Sequence, residues 1–510
     1  MRTQAARAVA ADDGRMVYLA CARVAGSAAT RSLPAFRIAG RAGRLATLLS
    51  AEAAAAAGRR ALATVPAYAD FVSAVPPRAA AADWLRALPV TDKKSYIDAY
   101  PLAARCRYGM LPVTGAELDE SSGSSGRPYT WVRSTAELEQ VRRKLAILVR
   151  HLLAGEPDDG RPIVTVNAFS MGAWATGTNV SRSLGRLGLL KSTGPEAEKV
   201  LSVLDLLGPD YTYLITGYPP FLRSLLEQAG DLSGYRMYGF VGGEGMSEAL
   251  RARLERSFRA VYSAYGASDL DIGIAAELPL TVWLRQQAAA RPELASALFG
   301  STGRLPMIFQ YDPADYYVET VDGELVITVC RTATLSPRIR YNVHDAGGTL
   351  SFSRMLEVCH DFGLDPLEGS RSRSAAPVLR MPLLYVHGRS DSTVSVHGAN
   401  IYPEDVGQGL GDSMDADEVA GFLLDLAEDA AGAVRPLVHI ETWRQEAAED
   451  AGLSSRLAVA VRARLLANSA DFRAAVAEDA RTGEIQVRLY GPGSGPFTAS
   501  AGQIKRRYIR

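Results

Sequence analysis

Beyond about residue 110 the apolar positions follow two periods. Residues 161–166, Arg-Pro-Ile-Val-Thr-Val, form a short β-branched run that predicts a buried strand. Residues 137–153 instead repeat their apolar positions at helical spacing. Residues 235–241 predict a second strand, Gly242-Gly243 a turn, residues 247–258 a helix and residues 324–329 a further strand. Such alternation predicts an α/β protein with largely parallel sheets. The first hundred residues are different. They are rich in Ala and Arg, with helical spacing over 44–63 that Pro66, Pro76 and Pro77 interrupt, so helices packed on the following body are expected.

The pattern changes again near Gly388. Residues 437–443 and 484–490 read as strands and residues 454–467 as a helix, enough for a small α+β unit. A Gly/Pro-rich stretch, residues 491–496, delivers the last residues. The expected architecture is a large multi-sheet body over 1–388 and a small mobile lid over 389–510. Residues 1–84 are expected to be helical and carry no motif, and no short repeat is present.

Composition narrows the partners. Of 510 residues 47% are apolar, and 56 basic residues balance 56 acidic ones. A chain without net charge has no electrostatic footprint for nucleic acid. No apolar run reaches the roughly 18 residues of a membrane span. The apolar stretch at residues 17–21 follows Asp12-Asp13 and is too short for a secretory core. Four scattered cysteines form no CxxC pair, which fits a reducing compartment, and a cytoplasmic location is expected. The basic residues are lopsided: only six are lysines, and after Lys199 only Lys505 remains.

Five segments carry candidate chemistry. Ser121, Ser122, Gly123, Ser124, Ser125, Gly126 and Arg127 form a loop whose N–H and hydroxyl groups can converge on phosphates, or else a plain linker. It lacks the Lys-Ser/Thr of a P-loop. Gly242, Gly243 and Glu244 follow a strand, but Glu248 stands where a dinucleotide fingerprint needs its third glycine, so a tight turn is the alternative. In the segment from Tyr265 and Gly266 to Ser268 and Asp269, an aromatic ring for a base precedes a hydroxyl and a hard oxygen ligand for Mg²⁺. Asp345 ends an Arg/Tyr-rich strand and can hold ribose hydroxyls. Finally Arg389 and Asp391 sit at the inferred domain boundary, ahead of Gly398-Ala-Asn-Ile-Tyr-Pro403.

In order and spacing these segments resemble the adenylate-forming superfamily of acyl-CoA synthetases, luciferases and peptide-synthetase adenylation domains, with the greatest similarity to phenylacetate–CoA ligase and its relatives. The likeness runs from about residue 85 to the end. It implies that a carboxylate attacks the α-phosphate of Mg·ATP, giving an acyl-adenylate and pyrophosphate, and that a thiol or amine then takes the acyl group after the lid turns about Asp391. By the same resemblance Ser121 to Arg127 grip the β- and γ-phosphates, Tyr265 and Gly243 flank adenine, Asp345 and Arg389 hold ribose, and Ser268 contacts phosphate or carboxylate.

Three departures are visible. Asp269 replaces the usual Glu, which leaves Mg²⁺ to be reached through water or with help from Asp271. Gln503 stands where a Gly-Lys lysine is expected; in an extended segment positions 503 and 505 face the same side, so Lys505 is the expected catalytic cation, with a solvated basic tail as the alternative. A Cys-rich zinc cluster found in some relatives is reduced to Cys359-His360, so no metal beyond Mg²⁺ is expected. Of the histidines, His344 beside Asp345 is the one to test.

The resemblance draws the acyl pocket from the region of Phe169, Met171 and Trp174, side chains suited to an aryl or apolar acid. Asn167 and Ser170 lie where amino-acid-activating relatives place an Asp, which disfavours an α-amino acid. The leading expectation is an acid–CoA ligase. The alternatives are transfer to a carrier-protein thiol or an amine, as in natural-product pathways, and a nucleotide-binding homologue with impaired catalysis.

Overall fold

The computed structural model describes residues 43–77, 79–121, 129–154, 160–171, 175–300, 305–390, 393–429 and 433–498. Its strands are, in chain order, β1 (Ala116–Ser121), β2 (Tyr129–Ser134), β3 (Ile163–Asn167), β4 (Leu189–Ser192), β5 (Thr212–Gly217), β6 (Arg236–Gly242), β7 (Ala260–Ala267), β8 (Asp271–Ala276), β9 (Met307–Tyr311), β10 (Tyr316–Val321), β11 (Glu324–Val329), β12 (Tyr341–Leu350), β13 (Leu383–Arg389), β14 (Val394–Val396), β15 (Ala399–Ile401), β16 (Val419–Glu428), β17 (Val434–Thr442) and β18 (Gln486–Tyr490). The fold is mixed α/β.

Among the described residues the main sheet has eleven strands in the order β10-β11-β12-β13-β9-β8-β7-β6-β5-β3-β4. Only half of it meets the parallel expectation. Strands β4, β3, β5, β6 and β7 run parallel, joined by helices such as Ala197–Leu207 and Pro219–Gln228. From β7 onward every pairing is antiparallel. Two of these reversals follow from connection length, since a parallel crossover needs a dozen residues or more. Three residues separate β7 from β8. Asp322 and Gly323, both at positive φ (51° and 83°), close β10 onto β11 as a two-residue hairpin turn. The sheet thus changes direction after β7, and the carboxyl end of β7 becomes a crevice of the kind that receives ligands in α/β sheets.

Four apolar cores among the described residues hold this arrangement, one of them uniting Leu280, Leu284, Ile308, Met355 and Leu383. Val164, Val166, Ile215, Val241 and Val261 of the parallel strands pack against Leu222, Leu225 and Leu250. The helix Gly43–Thr64 brings Ala54 and Ala55, with Tyr68 and Trp84 nearby, against Tyr316, Ile327 and Tyr341 of the antiparallel half, so the amino-terminal helices do pack on the body. A separate core unites Val394, Ile401, Leu424, Val438, Leu457, Leu465 and Phe472. There β16 pairs antiparallel with β17, and β17 parallel with β18 across the helix Ala451–Asn468. The helix expected over 247–258 is shorter, Glu248–Leu254, and Ser247 caps it by accepting the Leu250 N–H at 3.1 Å.

Candidate active site

The β7–β8 turn collects the chemistry. Tyr265, near the end of β7, donates its hydroxyl to Asp345 Oδ2 at 2.5 Å, and Asp345 on β12 lies opposite Arg389 on β13. Burial, reinforced by the Asp345 charge, pushes the Tyr265 phenol well above its usual range, so it stays a donor. Its ring lies 5.7 Å from that of Phe309 at a 32° tilt. Gly266 is required by close approach: a Cβ there would sit 2.4 Å from the carbonyl oxygen of Ile272. Three segments far apart in sequence are therefore joined around one tyrosine.

Asp269, one turn residue on, is buried. Its Oδ2 accepts the Tyr341 hydroxyl at 3.1 Å and lies 3.3 Å from Lys93 Nζ. Lys93 starts a short helical turn, Lys93–Ile97, capped by Asp92, which accepts the Ser95 N–H at 2.6 Å. Its ammonium also lies 5.1 Å above the Tyr129 ring. Burial pulls the Lys93 pKa down, but Asp269, and Tyr402 behind it, outweigh that and leave it raised, so the ammonium stays charged. Lys93 was missed as a site residue by the motif reading. The available signal was scarcity, since Lys93 and Lys94 are two of only six lysines.

One expectation is corrected here. Asp271 is not a second ligand beside Asp269. It is 2% exposed, accepts Tyr316 OH at 3.0 Å and Arg331 Nη2, and has Arg133 Nη1 at 3.6 Å and Arg338 Nη2 at 3.9 Å. Asp269 lies in the β7–β8 turn whereas Asp271 is the first residue of β8, so the two do not share one extended face, and the Asp271 side chain meets an arginine cluster. No group of three or more His, Cys, Asp or Glu able to hold a metal occurs among the described residues. Asp269 alone fits a Mg²⁺ whose other ligands are ATP phosphates, a common arrangement for that ion. The Ser268 carbonyl oxygen accepts a bond from Arg133 Nη2, which ties the turn to the same cluster.

His344, at φ 60°, has Nδ1 3.2 Å from Glu324 and Nε2 3.5 Å from Asp92. The hydrogen bond to His344 holds the Asp92 carboxyl far below its ordinary range. The histidine thereby ties the Lys93 turn to β11 and β12.

The glycine turn faces the carboxyl-terminal segment. Gly243 (φ 87°) and Gly398 (φ 77°) bracket the Tyr218 ring, with hypothetical Cβ atoms only 2.7 and 2.4 Å from its Cε1. His397 and Gly398, both at positive φ, form the two-residue turn between β14 and β15. Burial pushes the Glu244 carboxyl up to about 8, against backbone N–H bonds from His397 and Gly398. Phe169 is buried and edge-on to Tyr218, centroids 5.1 Å apart. Met171 is 40% exposed. Asn167 is engaged within the body instead, donating to the Gly177 carbonyl at 2.8 Å and the Ser181 hydroxyl at 2.7 Å and accepting the Thr216 hydroxyl. Ser170 donates to Glu478 Oε1 at 2.6 Å across to the carboxyl-terminal segment. Between these walls lies a cavity of about 670 Å³. Of the expected site residues, Ser122 to Arg127, Trp174, Asp391 and Lys505 lie outside the described residues; Ser121 ends β1, opposite Tyr129.

No protein-family model and no curated protein sequence matches the chain. Among solved structures it is similar to 2-hydroxyisobutyryl-CoA ligase in complex with 2-HIB-AMP and CoA in the thioesterification state, with a TM-score of 0.56 and 16% identity over 90% of this chain and 88% of that one. The chain has the adenylate-forming ligase fold. The postadenylation state of the same ligase with 2-HIB-AMP overlaps at TM-score 0.48 and 15% identity, over 90% of this chain and 87% of that one. The amide bond synthetase McbA from Marinactinospora thermotolerans overlaps at 0.45 and 15%, over 82% and 77%. Within this fold, no helix among the described residues is long and apolar enough to cross a membrane.

Proposed function

We propose that the chain is an AMP-forming acid ligase that activates an aryl or apolar carboxylic acid as its acyl-adenylate, in the manner of the phenylacetate–CoA ligase relatives its motifs resemble. The observation that carries this reading is the meeting of Tyr265, Asp345 and Arg389 beside the Asp269–Lys93 pair, in the crevice where the sheet changes direction. In this reading Tyr265 and Gly243 border adenine, and Asp345 and Arg389 hold the ribose. Ser121 to Arg127 contact the outer phosphates and Ser268 the reacting carboxylate. Asp269 would hold Mg²⁺ together with the phosphates, and the bound ion would neutralise their charge. Lys93, fixed by Asp269 and the Tyr129 ring, adds a preorganised cation at the phosphates, where charge develops as the carboxylate displaces pyrophosphate. Lys505, carried by the segment 389–510 turning about Asp391, is a second such cation. Phe169, Met171 and Trp174 supply the acid pocket. The acyl group then leaves AMP for a thiol, such as that of CoA, or an amine.

The test is acid-dependent ATP–pyrophosphate exchange across a panel of aryl and apolar acids. Exchange with at least one acid, with the KM for ATP raised about tenfold in Tyr265→Phe, is expected from loss of one hydrogen bond to a charged group. Absence of exchange with every acid overturns the reading.

A further inference from the structure

The cavity between the body and the carboxyl-terminal segment bears on the acyl acceptor. One wall is the stretch from Ser192 to Glu198 with the helix Pro219–Gln228. The other is the helix Ala470–Glu478 with His397 at the β14–β15 turn. Ser170, Met171 and Tyr218 also line it, and Tyr218 packs edge-on to Phe169, so the cavity adjoins the pocket proposed for the acid.

The lining carries one sign of charge. Glu196, Glu198, Glu478 and Asp479 line it, and no lysine or arginine does so among the described residues. Two of these carboxylates are compensated from outside: Glu196 pairs with Lys199 at 2.6 Å, and Asp479 with Arg481 at 3.1 Å. Glu478 instead accepts a neutral hydroxyl, that of Ser170, and Glu198 stands exposed at the rim. His397 supplies an independent pointer. It is 8% exposed and lines the cavity, yet its Nε2 lies 3.9 Å from Asp479, beyond hydrogen-bond range. Burial, opposed by Asp479 but seconded by Arg223 and Arg481, lowers its pKa to about 4, so near neutral pH the ring is an uncharged acceptor or single donor.

CoA ends in a polyanion of diphosphate and 3′-phosphate, which a carboxylate-lined approach repels. A primary ammonium is attracted, and its three N–H donors match acceptors of the lining: the Glu478 carboxylate, an imidazole nitrogen and the Tyr218 and Ser170 oxygens. We propose that this cavity admits a primary amine that is cationic in solution, and that the chain joins it to the activated acid as an amide. The proposal rests on the acyl-adenylate reading above and names its acceptor. The ammonium passes one proton to Glu478, whose pKa burial raises, and the free amine attacks the acyl carbon. The C–N bond forms, the bond from acyl carbon to the phosphate oxygen breaks with its electron pair leaving on AMP, and the second proton passes from nitrogen to water.

The test gives the full chain ATP, Mg²⁺ and an acid that supports exchange. It then offers CoA, 1,4-diaminobutane or β-alanine, whose carboxylate tests the charge rule, and products are read by mass spectrometry. Amide with 1,4-diaminobutane is expected at a kcat/KM at least tenfold above that for β-alanine and above thioester formation with CoA. Glu198→Lys, at an exposed rim position, is expected to raise the KM for the diamine about fivefold with kcat unchanged. Glu478→Gln is expected to lower kcat for the diamine tenfold or more and to flatten its rise with pH. Thioester as the dominant product, or diamine kinetics indifferent to both substitutions, overturns the acceptor assignment and leaves acid activation standing. No pyrophosphate release with any acid overturns both.

Discussion

Lys93 shows how much a single residue gains from its setting. In sequence it is one of a Lys-Lys pair after a turn; in the fold its ammonium lies 3.3 Å from Asp269 and above Tyr129. A cation held in place before reaction is worth about 3 kcal/mol in a transition state that gathers negative charge, on the scale of one oxyanion-hole donor. Lys93→Met is therefore expected to slow pyrophosphate exchange about a hundredfold at a temperature where both proteins are folded, and to lower the melting temperature because the buried Asp269 carboxylate loses a cationic partner. An undiminished exchange rate would remove Lys93 from the reaction. Asp269 makes the converse point, since its position in the motif was visible but its lysine partner was not. That partner comes from a segment some 175 residues earlier, and no local period connects the two.

At the scale of elements, the glycine turn after β6 and the β14–β15 hairpin meet around Tyr218, and they titrate in opposite directions. Glu244 has its pKa raised from 4.5 to about 8, so its contribution is full below 4.5 and is lost as pH rises through 8. His397 has its pKa lowered from 6.5 to about 4, so its contribution is full above 6.5 and is lost as pH falls through 4. Glu244→Gln removes only the first dependence. The variant should melt a few degrees above the parent at pH 9 and close to it at pH 5, which scanning calorimetry at the two pH values reads directly. A gap of equal size at both values would assign the difference to something other than this carboxyl. The hairpin itself was partly legible, since Gly398 stood out; that it would rest against Tyr218 was not, because the ring belongs to another element.

Over the whole molecule, the small β1–β2 sheet and the helix Thr135–Leu153 that follows it are tied to the antiparallel half of the main sheet by buried charge. Arg338 Nη2 lies 2.6 Å from Glu137, Arg133 Nε 2.7 Å from Asp119, and both guanidinia approach Asp271, as does Arg331. Removing one member leaves the others charged without water. Asp271→Asn is therefore expected to cost about 3–5 kcal/mol in denaturant unfolding. Because the carboxylate faces this cluster, the Mg²⁺ dependence of whatever activity remains should be unchanged. A raised Mg²⁺ requirement would return Asp271 to the metal site.

Read alone, the sequence determined the α/β class, several of the strands and helices, and the segments that bring Tyr265, Asp345 and Arg389 together. These are properties of nearest neighbours along the chain: β-branched runs, helical periods, glycine turns and capping residues such as Ser247. It also singled out Tyr265, Asp269, Asp345 and Arg389, because their residue types and local spacing carry chemistry. Tertiary structure alone decided that the sheet reverses direction after β7, that Asp271 turns inward to arginines while Asp269 meets Lys93, and that carboxylates line the cavity facing Ser170 and Tyr218. Each depends on which distant side chains share a buried volume, and the energy of a buried charge is set by those neighbours rather than by its place in the chain.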